Sequence, residues 1–291
     1  MGWDLQVPGF STLFAFVIGL VVGSFLNVCI YRLPRGENIV SPGSHCPSCL
    51  NPIKAWDNIP LLSFLLLKGR CRSCGAPISW RYPLVEGLTG IFFLLILYKF
   101  GLGFRSLLYL AFLSALVVVA FIDLEHQIIP HVITLPGIPV GLLSSLILRE
   151  PVFFDSLAGA LVGAGLLYFI AIYGELLLKK EAMGGGDVNL VAMVGAFLGW
   201  KKMLLTVFLG CLFGSVIGIG IILKRRKNTE HRAQSTEYRA QSTEYRTQNT
   251  EHRTRTMEST RIPFGPFLAL GAAVSLFWGN DLIRWYLSIL R

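Results

Sequence analysis

The sequence predicts an all-α polytopic membrane protein of about eight transmembrane helices, and three observations carry this. Hydrophobic residues make up 53% of the 291-residue chain and charged residues only 15%, with a mean hydropathy of +0.60, which excludes an ordinary soluble domain. Apolar runs recur at near-spanning length: a helix rising about 1.5 Å per residue needs roughly 20 residues to cross a hydrocarbon core of about 30 Å. Finally, Lys and Arg concentrate in alternate connections.

The runs fall at 11–30, 83–100, 105–122, 132–148, 156–178, 182–200, 202–223 and 263–280. The first has the look of a signal sequence, yet it lacks a basic n-region and a small-residue cleavage site, so it reads as a retained span. The sixth is the weak one, because its uninterrupted apolar part covers only 190–200. A re-entrant segment there would invert everything downstream, but the basic cluster Lys224–Lys227 argues against inversion.

The formal charge of +9 would point to nucleic acid in a soluble protein. Here the basic residues sit mainly in 31–82, 179–181 and 224–261. The positive-inside rule therefore places those segments in the cytoplasm and the N-terminus outside. Nucleic acid is not an expected partner, whereas membrane lipid is.

The segment 31–82 holds four of the six cysteines, as Cys46-Pro-Ser-Cys49 and Cys71-Arg-Ser-Cys74, with 21 residues between the pairs. That spacing is about one residue beyond the usual zinc-ribbon range. Each pair lets two thiolates reach one ion from a tight turn, and two such knuckles complete a closed, structural tetrahedral shell. Two disulfides are the competing reading, and a cytoplasmic location disfavours them. A cytoplasmic zinc-binding loop with ligands Cys46, Cys49, Cys71 and Cys74 is the expectation. Gly75 follows the second knuckle, where a positive φ is often needed. His45 is not needed as a ligand, and Cys29 and Cys211 read as small buried hydrophobes.

The polar segment 224–261 contains four copies of a seven-residue unit beginning at Thr229, Thr236, Thr243 and Thr250. The unit has no apolar a/d pair, so it cannot form a coiled-coil seam. It reads as disordered or as a fraying helix.

Two acids stand at the ends of apolar runs. Asp123 closes one and Asp187 follows Gly184, Gly185 and Gly186 at the start of another. A carboxylate at the edge of a bilayer is costly to place and is functional by default. The parity of the spans puts both at the cytoplasmic face. A same-face pair can perform peptide hydrolysis: one ionised group activates water and the other, protonated, polarises the carbonyl and donates to the leaving amine. The three glycines allow close backbone approach and leave room for an extended peptide. Taken singly, Asp123 reads equally well as a helix-end residue and Asp187 as an N-cap before Val188. Glu125, His126 and His131 read as a solvated turn.

These motifs resemble the type IV prepilin peptidases, the bifunctional leader peptidase/N-methyltransferases of the GxGD aspartic class. The resemblance rests on Gly23–Pro34, the two cysteine pairs, Asn58–Ser63, Gly69–Gly75, Arg81–Glu86, Asp123–Leu124, Ala182–Asp187 and Ile262–Ala269, in order along nearly the whole chain. It implies a multi-pass inner-membrane enzyme that cuts the leader from type IV prepilins or pseudopilins at the cytoplasmic face, with Asp123 and Asp187 catalytic. It also implies methylation of the new N-terminal residue with S-adenosylmethionine. Three positions depart from the family pattern: its second acid in the first motif is Glu125, its acid after Ile-Pro is His131, and its Lys after the GxGD aspartate is Asn189.

The chain then divides into a first span (1–30), a four-cysteine loop (31–82), a transmembrane peptidase core (83–223), the repeat loop (224–261) and a last span with its tail (262–291). Homodimerisation is left open. No residue pattern marks a nucleotide-type fingerprint for the methyl donor, so Glu37 and Arg81–Tyr82 are only weak methyl-transfer candidates. Glu37, Asp57, Glu86 and Glu125 are candidate contacts for a basic leader. Three rival readings remain: a peptidase without methyltransferase activity, an ion-coupled transporter using the two aspartates, and a docking scaffold built on the cysteine loop.

Overall fold

A computed structural model describes residues 9–148, 150–179, 184–240 and 263–289. Residues 1–8, 180–183, the repeat units beyond Ala240 and Ile262 of the late motif lie outside them. The elements are α1 (Gly9–Arg32), a short α2 (Leu62–Leu66), α3 (Arg81–Phe100), α4 (Phe104–His126), α5 (His131–Leu148), α6 (Phe153–Leu178), α7 (Gly185–Leu198), α8 (Trp200–Ala240) and α9 (Gly265–Ile289). Seven of these contain a stretch long and apolar enough to span, and α7 is a shorter apolar helix. The protein is an all-α integral membrane protein.

The helices approach one another through small residues, as bundles in lipid do. Gly19 and Gly23, four apart on α1, face α3: a Cβ on Gly19 would stand 2.7 Å from the Gly90 Cα, and one on Gly23 would stand 2.7 Å from the Glu86 Cα. On α6, a Cβ on Gly159 would lie 2.6 Å from the Gly195 carbonyl oxygen of α7. On α9, a Cβ on Gly271 would lie 2.7 Å from the Thr206 carbonyl oxygen of α8.

With 14 residues, α7 extends only about 21 Å, yet it crosses the bundle. Its Asp187 end meets Ile129, between α4 and α5, and its far end meets Gly159 and Pro151 at the start of α6. It is shielded on all sides, with every residue from Leu190 to Leu198 buried, so it need not match the bilayer thickness. It thus runs from the Ile129 end of the bundle to the Pro151 end. Phe112 of α4 stacks on Phe197 of α7 at 4.6 Å, inside the main apolar core shared with α9.

Beyond its apolar stretch Trp200–Ile221, the α8 backbone stays helical to Ala240, through the first repeat unit. In α9 the helix runs past the predicted 280 to Ile289.

The segment between α1 and α3 sits on the ends of those helices. Arg32 donates to the carbonyls of Asn38 (2.9 Å) and Pro42 (2.6 Å), and the Leu61 N–H donates to Glu86 Oε2 at 2.8 Å. Arg72 grips Asp57 with Nε at 2.9 Å and Nη2 at 2.7 Å. Its guanidinium holds the Asp57 carboxyl below the usual range. Asp57, Glu86 and Glu125 each have an intramolecular partner, so a basic leader would have to compete for them.

Candidate active site

Asp123 lies in the last turn of α4, where the helix's own carbonyls make an anion unfavourable. Its side chain is nonetheless buried, at 5% exposure. The compensation comes from the start of α9. Phe264 accepts the N–H groups of Phe267 and Leu268, both at 3.1 Å, and Pro266 occupies the first turn, where no N–H is required. The Gly265 N–H, left over by this arrangement, donates to Asp123 Oδ2 at 2.9 Å. A Cβ on Gly265 would sit 2.7 Å from that oxygen, so the contact requires glycine.

Asp187 lies in the first turn of α7. The N-cap is Gly184, with φ −75° and ψ 142° and no side-chain cap, and the Asp187 N–H donates to its carbonyl at 3.1 Å. Asp187 is thus not the N-cap weighed from the sequence. Its Oδ1 is buried and has no hydrogen-bond partner among the described residues. The two acids, 64 residues apart in the chain, lie at the same end of the bundle, since Gly186 packs on Ile129 just beyond the helix that carries Asp123.

The glycines divide the work. A Cβ on Gly186 would stand 2.7 Å from the Ile129 Cβ, whereas none at Gly185 would meet an atom within 4 Å. A Cβ at Gly184 would reach only Asp187 Oδ2, at 4.0 Å. Close approach is needed at Gly186 and, among the described residues, at neither of the other two.

Two of the positions that depart from the family pattern meet: Asn189 Nδ2 and His131 Nδ1 are 3.0 Å apart, tying α7 to the start of α5. Glu125 is not merely solvated but pairs with Arg81 at the start of α3. The Gly265 contact is one that sequence reasoning misses, even with Phe264–Phe267 inside a matched motif. A Gly-Pro pair at a helix start is its available signal.

The four cysteines converge. Their sulfurs all lie within 4.8 Å of one another, with Cys46 Sγ and Cys74 Sγ 3.9 Å apart. Tetrahedral zinc thiolates at about 2.3 Å from the metal would be separated by about 3.8 Å, so the donor set fits one ion. All four are free thiols, which removes the disulfide reading. The knuckles are built alike: bridges His45–Pro52 and Arg70–Pro77 bracket them, and the Cys46 and Cys71 N–H groups donate to the Asn51 and Ala76 carbonyls at 3.0 and 2.8 Å. The residue after each second cysteine turns left-handed, Leu50 with φ 58° and Gly75 with φ 72°.

Comparison with known proteins agrees with this layout. Residues 17–100 match the bacterial peptidase A24 N-terminal domain, and residues 110–219 match the type IV leader peptidase family. A prepilin leader peptidase/N-methyltransferase from Aeromonas salmonicida is 36% identical over 298 residues, covering 94% of this chain and 92% of that protein. The chain belongs to the type IV leader peptidase family. A second relative of the same name, from Pseudomonas aeruginosa, is 34% identical and covers 94% of this chain and 92% of its own length. One from Myxococcus xanthus is 46% identical over 75% of this chain, a match that spans 66% of that protein. No solved structure matches the chain. Within the family match, Asp123 and Asp187 both fall in the leader peptidase region, and the four cysteines in the N-terminal one.

Proposed function

We infer that this protein is a membrane aspartic endopeptidase that removes the leader from type IV prepilins or pseudopilins and N-methylates the residue so exposed. The observation that carries the peptidase reading is the paired setting of Asp123 and Asp187. One carboxylate is fixed by the Gly265 N–H, and the other keeps a buried oxygen without a partner. That free Asp187 Oδ1 is the atom available to hold a shared proton or to touch the scissile peptide. Asp123, held in one orientation, is the group to position the attacking water. In this reading the two carboxylates share a single proton, as neighbouring like charges favour. An unwound peptide would lie beside Gly184 and Gly185, which the described residues do not crowd.

The reading places the enzyme in the inner membrane with its N-terminus outside, and the cysteine loop and both aspartates at the cytoplasmic face. Contacts among the helix ends support a common face, since Glu125 of α4 pairs with Arg81 of α3 and Asp123 with the start of α9. In this proposal residues 31–82 form a zinc-bound loop with Cys46, Cys49, Cys71 and Cys74 as ligands, and zinc is structural. Residues 83–223 with the last span form the peptidase core, and lipid covers the outward apolar faces. S-adenosylmethionine supplies the methyl group when bound. The transporter and scaffold readings leave the leader-peptidase family match without an explanation.

The test is prepilin cleavage by the purified protein in liposomes, read by mass spectrometry with S-adenosylmethionine present. Wild type should yield a mature pilin carrying one added methyl, and Asp123→Asn and Asp187→Asn should each leave the prepilin uncut. Full cleavage by either variant would overturn the assignment of the pair, and cleavage without the methyl would leave a peptidase only.

A further inference from the structure

The segment between α1 and α3 carries a patch of large apolar side chains outside the spans. On α2, Leu65 and Leu66 are 70% and 71% exposed, and Trp80, the residue before α3, is 77% exposed. Phe64 is the inward member of the same helix. Its ring lies 4.9 Å from that of Trp80, and a Cβ on Gly69 would stand 3.2 Å from it. The two leucines face away from the protein, and a contiguous apolar patch of this kind marks a surface that meets something.

Its depth says what it meets. The start of α2 is tied by the Leu61 N–H to Glu86 Oε2 at 2.8 Å. Glu86 is five residues inside α3, about 7.5 Å along the axis from Arg81, and α3 is long and apolar enough to span from Arg81 onward. The helix α2 is therefore held level with the first turns of a span. Trp80 accepts the Leu84 N–H at 3.2 Å, and residues four apart share a face. Leu84 is exposed as well, so the patch continues into the outward apolar face of α3.

The remaining chemistry fits lipid. Ser63, the one polar side chain of α2, donates its hydroxyl to the Ile59 carbonyl at 2.7 Å. The helix thus offers no free side-chain polar group to hydrocarbon. Lys68 and Arg70 follow it and are exposed; basic residues and Trp are the side chains that sit among headgroup phosphates. On the α1 side, Val40 and Ile59 share a cavity of about 630 Å³ with Val21 and Phe25. All four are exposed, and the latter two lie inside a span. We propose that α2 and Trp80 insert into the boundary between headgroups and acyl chains, so that phospholipid is the partner of this face and the cysteine loop is moored flat beside α3.

The experiment uses the full-length protein in nanodiscs of phosphatidylcholine and phosphatidylglycerol. A phospholipid with a diazirine near the glycerol end of one acyl chain is included, the sample is irradiated and the labelled peptides are mapped by mass spectrometry. We expect label within 61–66 or at Trp80, within about threefold of the label on 140–147 of α5, a lipid-facing control. The double variant Leu65→Ser, Leu66→Ser should lose at least threefold of the label at 61–66 and keep that of α5. A variant that loses the α5 label too is misfolded, and the wild-type map then decides. Wild type labelled on α5 but not at 61–66 or Trp80 would overturn the proposal. Crosslinks from 61–66 to a second copy or to an added prepilin, with lipid label absent there, would assign the face to that partner and overturn it equally.

Discussion

The Gly265 N–H reaches Asp123 Oδ2 at 2.9 Å across 142 residues of chain. A helix N-terminus and a helix C-terminus of opposite partial charge are thereby brought face to face, and the carboxylate at their junction is oriented by the backbone. Replacing Gly265 by Ala keeps the N–H but adds a Cβ that must displace the carboxylate. A misplacement approaching 1 Å can cost about 100-fold in rate. Gly265→Ala should therefore lower kcat for leader cleavage by about 10- to 100-fold with KM little changed. Methylation of a pre-cleaved pilin should be retained, and loss of both activities together would refute a purely positioning role.

His131 and Asn189, 3.0 Å apart, occupy positions where the family pattern has an acid and a lysine. The contact lies two residues from Asp187, and we expect the two positions to depend on each other. In cleavage assays, His131→Asp and Asn189→Lys should each slow the enzyme, and the double variant should recover most of the loss. Contacting residues couple by about 0.5–3 kcal/mol. Strictly additive losses would show that the contact has no energetic content.

Metal retention should depend on acidity in a definite sense. Every thiol must shed its proton to bind zinc, so protons compete as pH falls. The N–H groups of Cys49 and Ser48 hold the Cys46 thiol down to about 6. Against the pull of the Ala76 N–H, burial and the neighbouring sulfurs push the Cys74 thiol up to about 11. Near neutral pH, therefore, zinc binding should release the Cys74 proton, which a pH indicator will register. Zinc content after dialysis, measured by atomic absorption, should be one per chain at neutral pH and fall as the pH drops below about 6. Retention unchanged under acid would contradict thiolate ligation.

The α6–α7 crossing offers a stability test. A methyl at Gly195 would run into the backbone of Gly159, and overpacking costs about 1–3 kcal/mol. Gly195→Ala should lower the thermal midpoint in detergent. Gly165→Ala, on the same helix pair with nothing within 4 Å, should be neutral or slightly stabilising. Equal effects would remove the close contact as the cause.

Much of this arrangement is legible in the residues. Run length and basic alternation locate the spans, and the parity of those spans puts Asp123 and Asp187 on one face without reference to any contact. The brevity of 190–200 signals an unusual helix, but its complete burial cannot be read, because shielding comes from neighbours distant in sequence. The predicted last helix stops at 280 because Asp281 and Arg284 interrupt the apolar run, whereas the two simply pair with each other at 3.0 Å. What stays hidden is who touches whom: that Gly265 serves Asp123, that Arg81 holds Glu125, and that two departures from the family pattern are neighbours.

The way α9 is seated bears on how this chain can change over generations. Gly265 stands on a helix that packs on α8 through Gly271 against Thr206 and Leu268 against Gly210. The repeat enters the chain just upstream. Copies can be gained or lost there at a cost that grows only with the logarithm of loop length, while the α8–α9 packing that carries the Gly265–Asp123 contact stays as it is.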